Sequence, residues 1–515
     1  MRGIVYVRHR RAAPRTSSAS FALAAGAVVL ATVFATGEPL PAPGVVPLPD
    51  TADLAAPPGH GSYAGMQPDP LAAAVGVSSC ATVSCHGGPK AGNHDVQTFA
   101  FTIWMNDDPH ARAYETLHSP RSKRMAQLLR IGEAHRAAEC LACHSMQHVS
   151  RPTLPPEVLA DGVGCSSCHG ESSRWQQLHH LPEWKQLSAP QREALGYRDL
   201  GSVAGRAATC IPCHVGNGSQ QVNHDLIAAG HPRLSFEFAA YQRLWPRHWS
   251  PTAKLESRPD FTERSWAVGQ ATTLAAVAEL LAVRTQQAAA EMAAGRPHRW
   301  PEFSEFDCYA CHKSLGPSSY AAAHTGGFRN PFPGQPSWQP WYVSAGRLLD
   351  AAAAPTAVPG TRSVGMSAVD VRRVLEADWS VADRARLERV LLEARGLQRA
   401  AWQAARDLET RERVVLHLSQ PKLDALVANV PPEWRFWDAA VQTLLAMEAA
   451  EGGPARLGVH RETQVLGPAG DTRRALDELR ESLRFPPGAD TPEGFNPVRF
   501  NRDRVAVPFP SAVQP

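Results

Sequence analysis

The ten cysteines of this 515-residue chain all fall in one kind of unit. Four units read Cys-x-x-Cys-His: Cys140, Cys143 and His144 in CLACH; Cys165, Cys168 and His169 in CSSCH; Cys210, Cys213 and His214 in CIPCH; Cys308, Cys311 and His312 in CYACH. A fifth, CATVSCH, is stretched, with four residues between Cys80 and Cys85 ahead of His86. The spacing suits covalent attachment of haem c. Two thiols three positions apart lie on one side of a helical turn, where both can form thioethers along one porphyrin edge. The adjacent His then sets an imidazole under the iron as proximal ligand. Zinc uses such units in pairs, which five units do not allow, and has no need of a His after every second Cys. A disulfide framework does not ask for that His either. Five covalently attached haem c groups are therefore expected.

The second axial position of each iron needs a ligand supplied by the fold. Twelve further histidines lie between residues 76 and 330, more than five irons require. His110 stands in DDPHARAYETL, where Asp108 suits an N-cap and Pro109 the first helical position, so its ring projects from a first turn. His224 and His231 stand seven residues apart in NHDLIAAGHPRL. A helix opened by Asn223 and closed around Gly230 and Pro232 would carry both on one face. His179 follows the third motif in ESSRWQQLHH and ranks ahead of His180. His135 precedes Cys140 by five residues. The nearby Met105, Met125 and Met146 follow no pattern, so bis-histidine ligation is favoured.

SCATVSCHGG, TIWMNDDPHARAYETL and DGVGCSSCHG with its following His resemble the multihaem cytochrome c family typified by the tetrahaem electron carrier of hydroxylamine oxidation (cytochrome c five-five-four type). NHDLIAAGHPRLSFEF and WPEFSEFDCYACHKSL resemble a related group of exported multihaem cytochromes. The resemblance spans roughly residues 76–330. It implies distal roles for His110 and His179, and an open, five-coordinate iron on His144. The fifth motif, the stretched first motif and a long C-terminal extension depart from the family pattern. Electron transfer is the activity the resemblance implies.

The fold expected is mainly α, with a haem-filled core, little sheet and a helical C-terminal region. Residues 1–15 hold five arginines and no acid, and Phe21–Ala35 is an apolar run. This is the form of a signal peptide, or of an N-terminal anchor, over residues 1–35. Residues 36–75 read as a Pro-rich linker. Residues 76–328 form the pentahaem domain. Asp260 and Glu263 suit a capping box for a helix through Trp266 and Leu274 to about Ala294. Residues 329–515 contain no cysteine. They are expected to be helical, with Ser380 and Asp383 together capping one helix, others at 433–451 and 471–484, and an irregular Pro-rich tail. A region of that kind would be dispensable for haem attachment. No apolar run past the N-terminus reads as long enough to span a bilayer, leaving the anchor as the membrane contact.

The 52 Lys and Arg against 49 Asp and Glu exclude a typical nucleic-acid binder. The leading expectation is an exported, periplasmic pentahaem cytochrome, free or held at the inner membrane by residues 21–35. It would carry electrons between redox protein partners or from a quinol-side donor. The alternative is a haem enzyme acting on a small nitrogen or sulfur compound at a five-coordinate iron, which needs one iron without a protein ligand. A structural or sensory subunit with the C-terminal region as docking module is the third reading.

Overall fold

A computed structural model describes residues 75–89, 95–146, 154–250, 255–308, 336–346, 349–350, 363–377, 382–416 and 437–450. The expected export segment, the linker, Cys311, His312, the helix expected at 471–484 and the tail lie outside them. The described residues are mainly helical and form no sheet, in line with the mainly α fold expected. Among the described residues, β pairing is limited to the isolated bridges Gly170–Tyr197 and Phe306–Trp338.

The first half consists of short helices that carry or face the cysteine motifs. These are α1 (Ala100–Asp107), α2 (Pro120–Leu129), α3 (Ala138–His144), α4 (Pro156–Ala160), α5 (Cys165–His169), α6 (Ala189–Glu193), α7 (Val203–His214), α8 (His224–Ala228) and α9 (Phe238–Leu244). Three of them, α3, α5 and α7, end on the His of a motif. Local chemistry starts several of these elements. The Ser202 hydroxyl accepts from Gly205 N at the head of α7, and Asn223 accepts from Leu226 N at the head of α8. Asp108 caps the turn Pro109–Arg112 as expected, although that turn is a 3-10 helix. A small apolar cluster of Leu117, Ala126, Ala134, Leu141 and Leu159 backs the second motif.

The larger core joins the second half to α7 and α9, through Val203, Ala207 and Ile211 of the one and Phe238 of the other. Helix α10 (Phe261–Ala293) packs along α13 (Arg384–Thr410), with α11 (Pro340–Val343), α12 (Val364–Ala377) and α14 (Trp437–Ala450) around them. Fully buried Ala271, Ala275, Ala278 and Ala282 of α10 join one cluster with Ala394, Leu397, Ala401 and Leu408 of α13. Small side chains on both helices allow close approach of the axes. Helix α10 is long and apolar enough to cross a membrane, contrary to the reading of the sequence, but 83% of its most apolar window is buried within the protein. It is a core helix.

Three expectations change here. The capping box at Asp260 and Glu263 does not form: the Asp260 side chain caps nothing and instead binds Arg264 at 2.6 Å and Val414 N at 2.7 Å. The His224 helix stops at Ala228, and Gly230, at φ +121°, turns the chain, so His231 leaves the helical face it was expected to share. The C-terminal region, expected to be dispensable for haem attachment, shares buried contacts with the motif half. Glu409 of α13 accepts from Val203 N at 3.2 Å and Ala204 N at 2.9 Å, and so caps the helix that carries the fourth motif. Buried Arg264 donates to the carbonyls of Leu408, Glu409 and Arg411 at the end of α13.

Two outcomes follow from this shared core. Replacing Arg264 by Ala leaves Asp260 with only the part-exposed Arg258, at 3.2 Å, and removes the donor to the carbonyls at the end of α13, so it should destabilise the protein by about 3 kcal/mol, read as a lower midpoint of thermal unfolding. A chain ended before residue 329 should carry fewer haems than the full chain in a haem-to-protein assay. A truncate with the full complement would show that the Glu409 cap and the α10–α13 contact are not needed.

Candidate haem-ligand site

Each of the four described motif histidines faces a second histidine. Ring centroids are 6.1 Å apart for His86 and His179, and 6.0 Å for His214 and His110. They are 6.4 Å apart for His144 and His231, and 6.3 Å for His169 and His248. Direct contact between rings would be closer, as it is for His118 on His135 at 4.5 Å. An imidazole nitrogen lies about 2.0 Å from its metal and about 1.1 Å from its own ring centre, so two rings trans on one iron have centres about 6.2 Å apart. The four separations match that value. Interplanar angles of 19°, 84°, 89° and 73° are all compatible, because each ring is free to rotate about the ligand axis.

Second-layer bonds set the tautomers. The Nδ1–H of His86 donates to Gln97 O at 2.7 Å, and that of His179 to Gln176 O at 2.6 Å. The His144 Nδ1–H donates to Ala113 O at 3.0 Å, with the Thr116 hydroxyl 3.1 Å away. His231 Nδ1–H donates to Pro232 O at 2.7 Å. A carbonyl can only accept, so in each case the proton sits on Nδ1 and Nε2 keeps its lone pair. His110 differs: its Nδ1 meets the Asp108 carboxylate at 2.9 Å. Asp108 also accepts from His110 N at 3.0 Å and from Trp245 Nε1 at 2.8 Å. Burial works to raise the Asp108 pKa, but the bonds from His110 and Trp245 outweigh it and hold the carboxyl below its ordinary value. A carboxylate behind an imidazole makes that imidazole a stronger donor to a metal.

Burial disfavours the charged form of five of these rings. It pushes His169 and His214 down to about 4 and lowers His179, His231 and His248 below their ordinary value. A metal needs the deprotonated ligand, so these groups are ready to bind at neutral pH.

The thiols are placed between motifs as well as within them. Cys80 of the first motif lies within hydrogen-bonding reach of Cys165 of the third, and Cys143 of the second within reach of Cys213 of the fourth. Cys213 Sγ is also 4.0 Å from Ala142 O, and Gln220 Nε2 donates to both that sulfur and that carbonyl. None of the nine described cysteines is in a disulfide. Among the described residues, no three His, Cys, Asp or Glu side chains converge as a zinc site would require. Backbone detail holds the third motif in place. Gly170, at φ +84° directly after His169, packs so that a Cβ would meet Gly196 O at 2.1 Å, and Arg198 N donates to His169 O at 2.9 Å.

Of the five distal candidates read from the sequence, His110, His179 and His231 face motif histidines. His135 does not: its ring stacks on His118 and its Nε2 lies 3.6 Å from Glu133. The turn before α3 carries it onto His118 at the end of the Glu115–His118 turn. His224 sits edge-on to Phe303, with centroids 5.7 Å apart, and its backbone N donates to Glu302 at 2.8 Å. That places it beside the chain leading into the fifth motif, whose Cys311 and His312 are outside the described residues. His248 was missed. It lies in WPRHWS between Trp245 and Trp249, and its aromatic surroundings were the only available signal.

Residues 79–170 match the family model for cytochrome c554 and c-prime, a stretch that holds the first three motifs and His110. No curated protein and no solved structure matches the chain. The matched segment supports a c-type cytochrome of the multihaem kind, with covalently bound haem c and a role in electron transfer.

Proposed function

We propose that this chain is an exported pentahaem cytochrome that carries electrons between redox partners. The observation that carries the reading is the pairing of motif histidines with second imidazoles at the separation one iron needs. Cys80 and Cys85 with His86 would hold the first haem, and His179 would complete it. Cys165 and Cys168 with His169 would hold the third, completed by His248. Cys210 and Cys213 with His214 would hold the fourth, completed by His110. Cys140 and Cys143 with His144 would hold the second. Cys308 and Cys311 with His312 would hold the fifth, to which we assign His224. When bound, the haems supply iron that cycles between two oxidation states.

The protein's own part is to fix ligands, set burial and bring the motifs together. Thiol neighbours from different motifs, Cys80 with Cys165 and Cys143 with Cys213, would put porphyrin edges side by side. That supports passage of electrons along the chain of sites. Paired imidazoles favour potentials below those of Met/His sites, and the Asp108 carboxylate behind His110 pushes in the same direction. The partners fitting this reading are redox proteins or a quinol-side donor outside the cytoplasm, with residues 1–35 as the export signal or inner-membrane anchor.

A pyridine haemochrome assay against protein mass should give five haems per chain. Four haems with two titratable thiols would remove the stretched first motif from the list. His110→Ala should keep every haem, since thioethers and proximal imidazoles are untouched, but turn one iron high-spin and able to bind carbon monoxide. His135→Ala should leave the spectrum as in the parent. The reverse pattern would contradict the ligand assignment.

A further inference from the structure

The second motif decides whether this chain has an iron open to a small molecule. The catalytic alternative requires such a vacancy, and the open iron implied by resemblance would be the one on His144. Across from His144 stands the ring of His231, 6.4 Å away between centres, within 0.4 Å of the shortest of the four pair separations.

His231 is held there from both sides. Helix α8 ends at Ala228, and the chain turns back at Gly230 in the left-handed region, where a side chain would be strained. His231 N donates to Leu226 O at 3.0 Å and so closes this turn. Arg121 of α2 donates to Gly230 O from Nε at 2.9 Å and from Nη2 as well. On the other side, Arg233 is bidentate on Asp438 of α14, at 2.8 and 3.3 Å. The ring itself is oriented by its bond to Pro232 O, which leaves Nε2 as the free donor atom. His144 is oriented in the same manner by Ala113 and Thr116.

We infer that His231 is the sixth ligand of the haem on His144, so that this iron is closed to exogenous molecules and serves electron passage only. Arg121 is the positioning residue that fixes the turn presenting His231. The inference rests on the proposed haem function and sharpens it, because it removes the site at which a substrate would bind.

The test uses the full-length holoprotein. His231→Ala should retain five haems, gain a high-spin ferric signal equal to one haem, and bind one carbon monoxide per chain when reduced. The parent should bind none. His110→Ala is the companion measurement. High-spin iron in His110→Ala with none in His231→Ala overturns the assignment of His231 and leaves the carrier reading intact. No change in either variant defeats paired ligation itself. Carbon monoxide binding by the parent at one haem, unchanged in His231→Ala, also overturns the inference. Should His231→Ala lose haem, His231→Met keeps a ligating side chain, and one reduction potential should then rise. Unchanged potentials in that variant count against the inference. Arg121→Ala, an exposed change, should leave haem content intact and admit carbon monoxide to a fraction of one haem, and complete resistance would remove Arg121 from its role.

Discussion

The proposed ligation would require two imidazoles on one iron to keep their ring centres about 6.2 Å apart with both Nε2 lone pairs directed inward, and the fold sets four motif histidines 6.0–6.4 Å from a second histidine. The cysteine motif provides one imidazole of each pair locally. The other comes from elsewhere in the chain: His110 reaches His214, and His248 reaches His169. Each such contact closes a long loop, which costs conformational entropy that covalent haem attachment and buried packing must offset. Carbonyl and carboxylate acceptors on Nδ1 make each ring directional before any metal is considered. Gln97, Gln176, Ala113, Pro232 and Asp108 serve this purpose, so the backbone around the motifs is part of the ligand design.

The second half of the chain has no motif after the fifth, yet it steadies the first half. The motif helix α7 buries Val203, Ala204, Ala207 and Ile211 in the larger core. It gains a carboxylate cap from Glu409 and side-on packing from α10. Arg264 ties the same end of α13 to the start of α10. Asp438 reaches the segment just after His231. The larger apolar core therefore takes in the fourth motif itself, with Ile211 inside it and Cys210 packed against it.

The cysteine motifs, and with them the c-type cytochrome class, were legible in the sequence because covalent haem attachment asks for a short, local spacing that chance does not produce. The mainly helical class was legible for the same reason that caps and periodicity are: Asn223, Asp383 and the α13 repeat of Leu387, Val390, Ala394 and Leu397 act within a few residues. What failed was non-local. Arg264 took the place of a local capping box through contacts some 150 residues away. Glu409 reaches 206 residues back to Val203, which no pattern in either segment announces. His135 looked suitable by its distance from Cys140, but a ligand is chosen by direction, and its turn points it at His118. His248 had no helical period around it to mark a face. His231 was named for a helical face it does not occupy; Gly230 brings it to His144 by another route.

The most direct measurement is the spin state of the fully ferric, unmodified protein, read by electron paramagnetic resonance and quantified against total haem. Every iron held between two histidines should be low-spin, leaving no high-spin signal. A high-spin signal equal to one haem or more per chain would contradict paired ligation and return an open iron, with the chemistry it allows, to this protein.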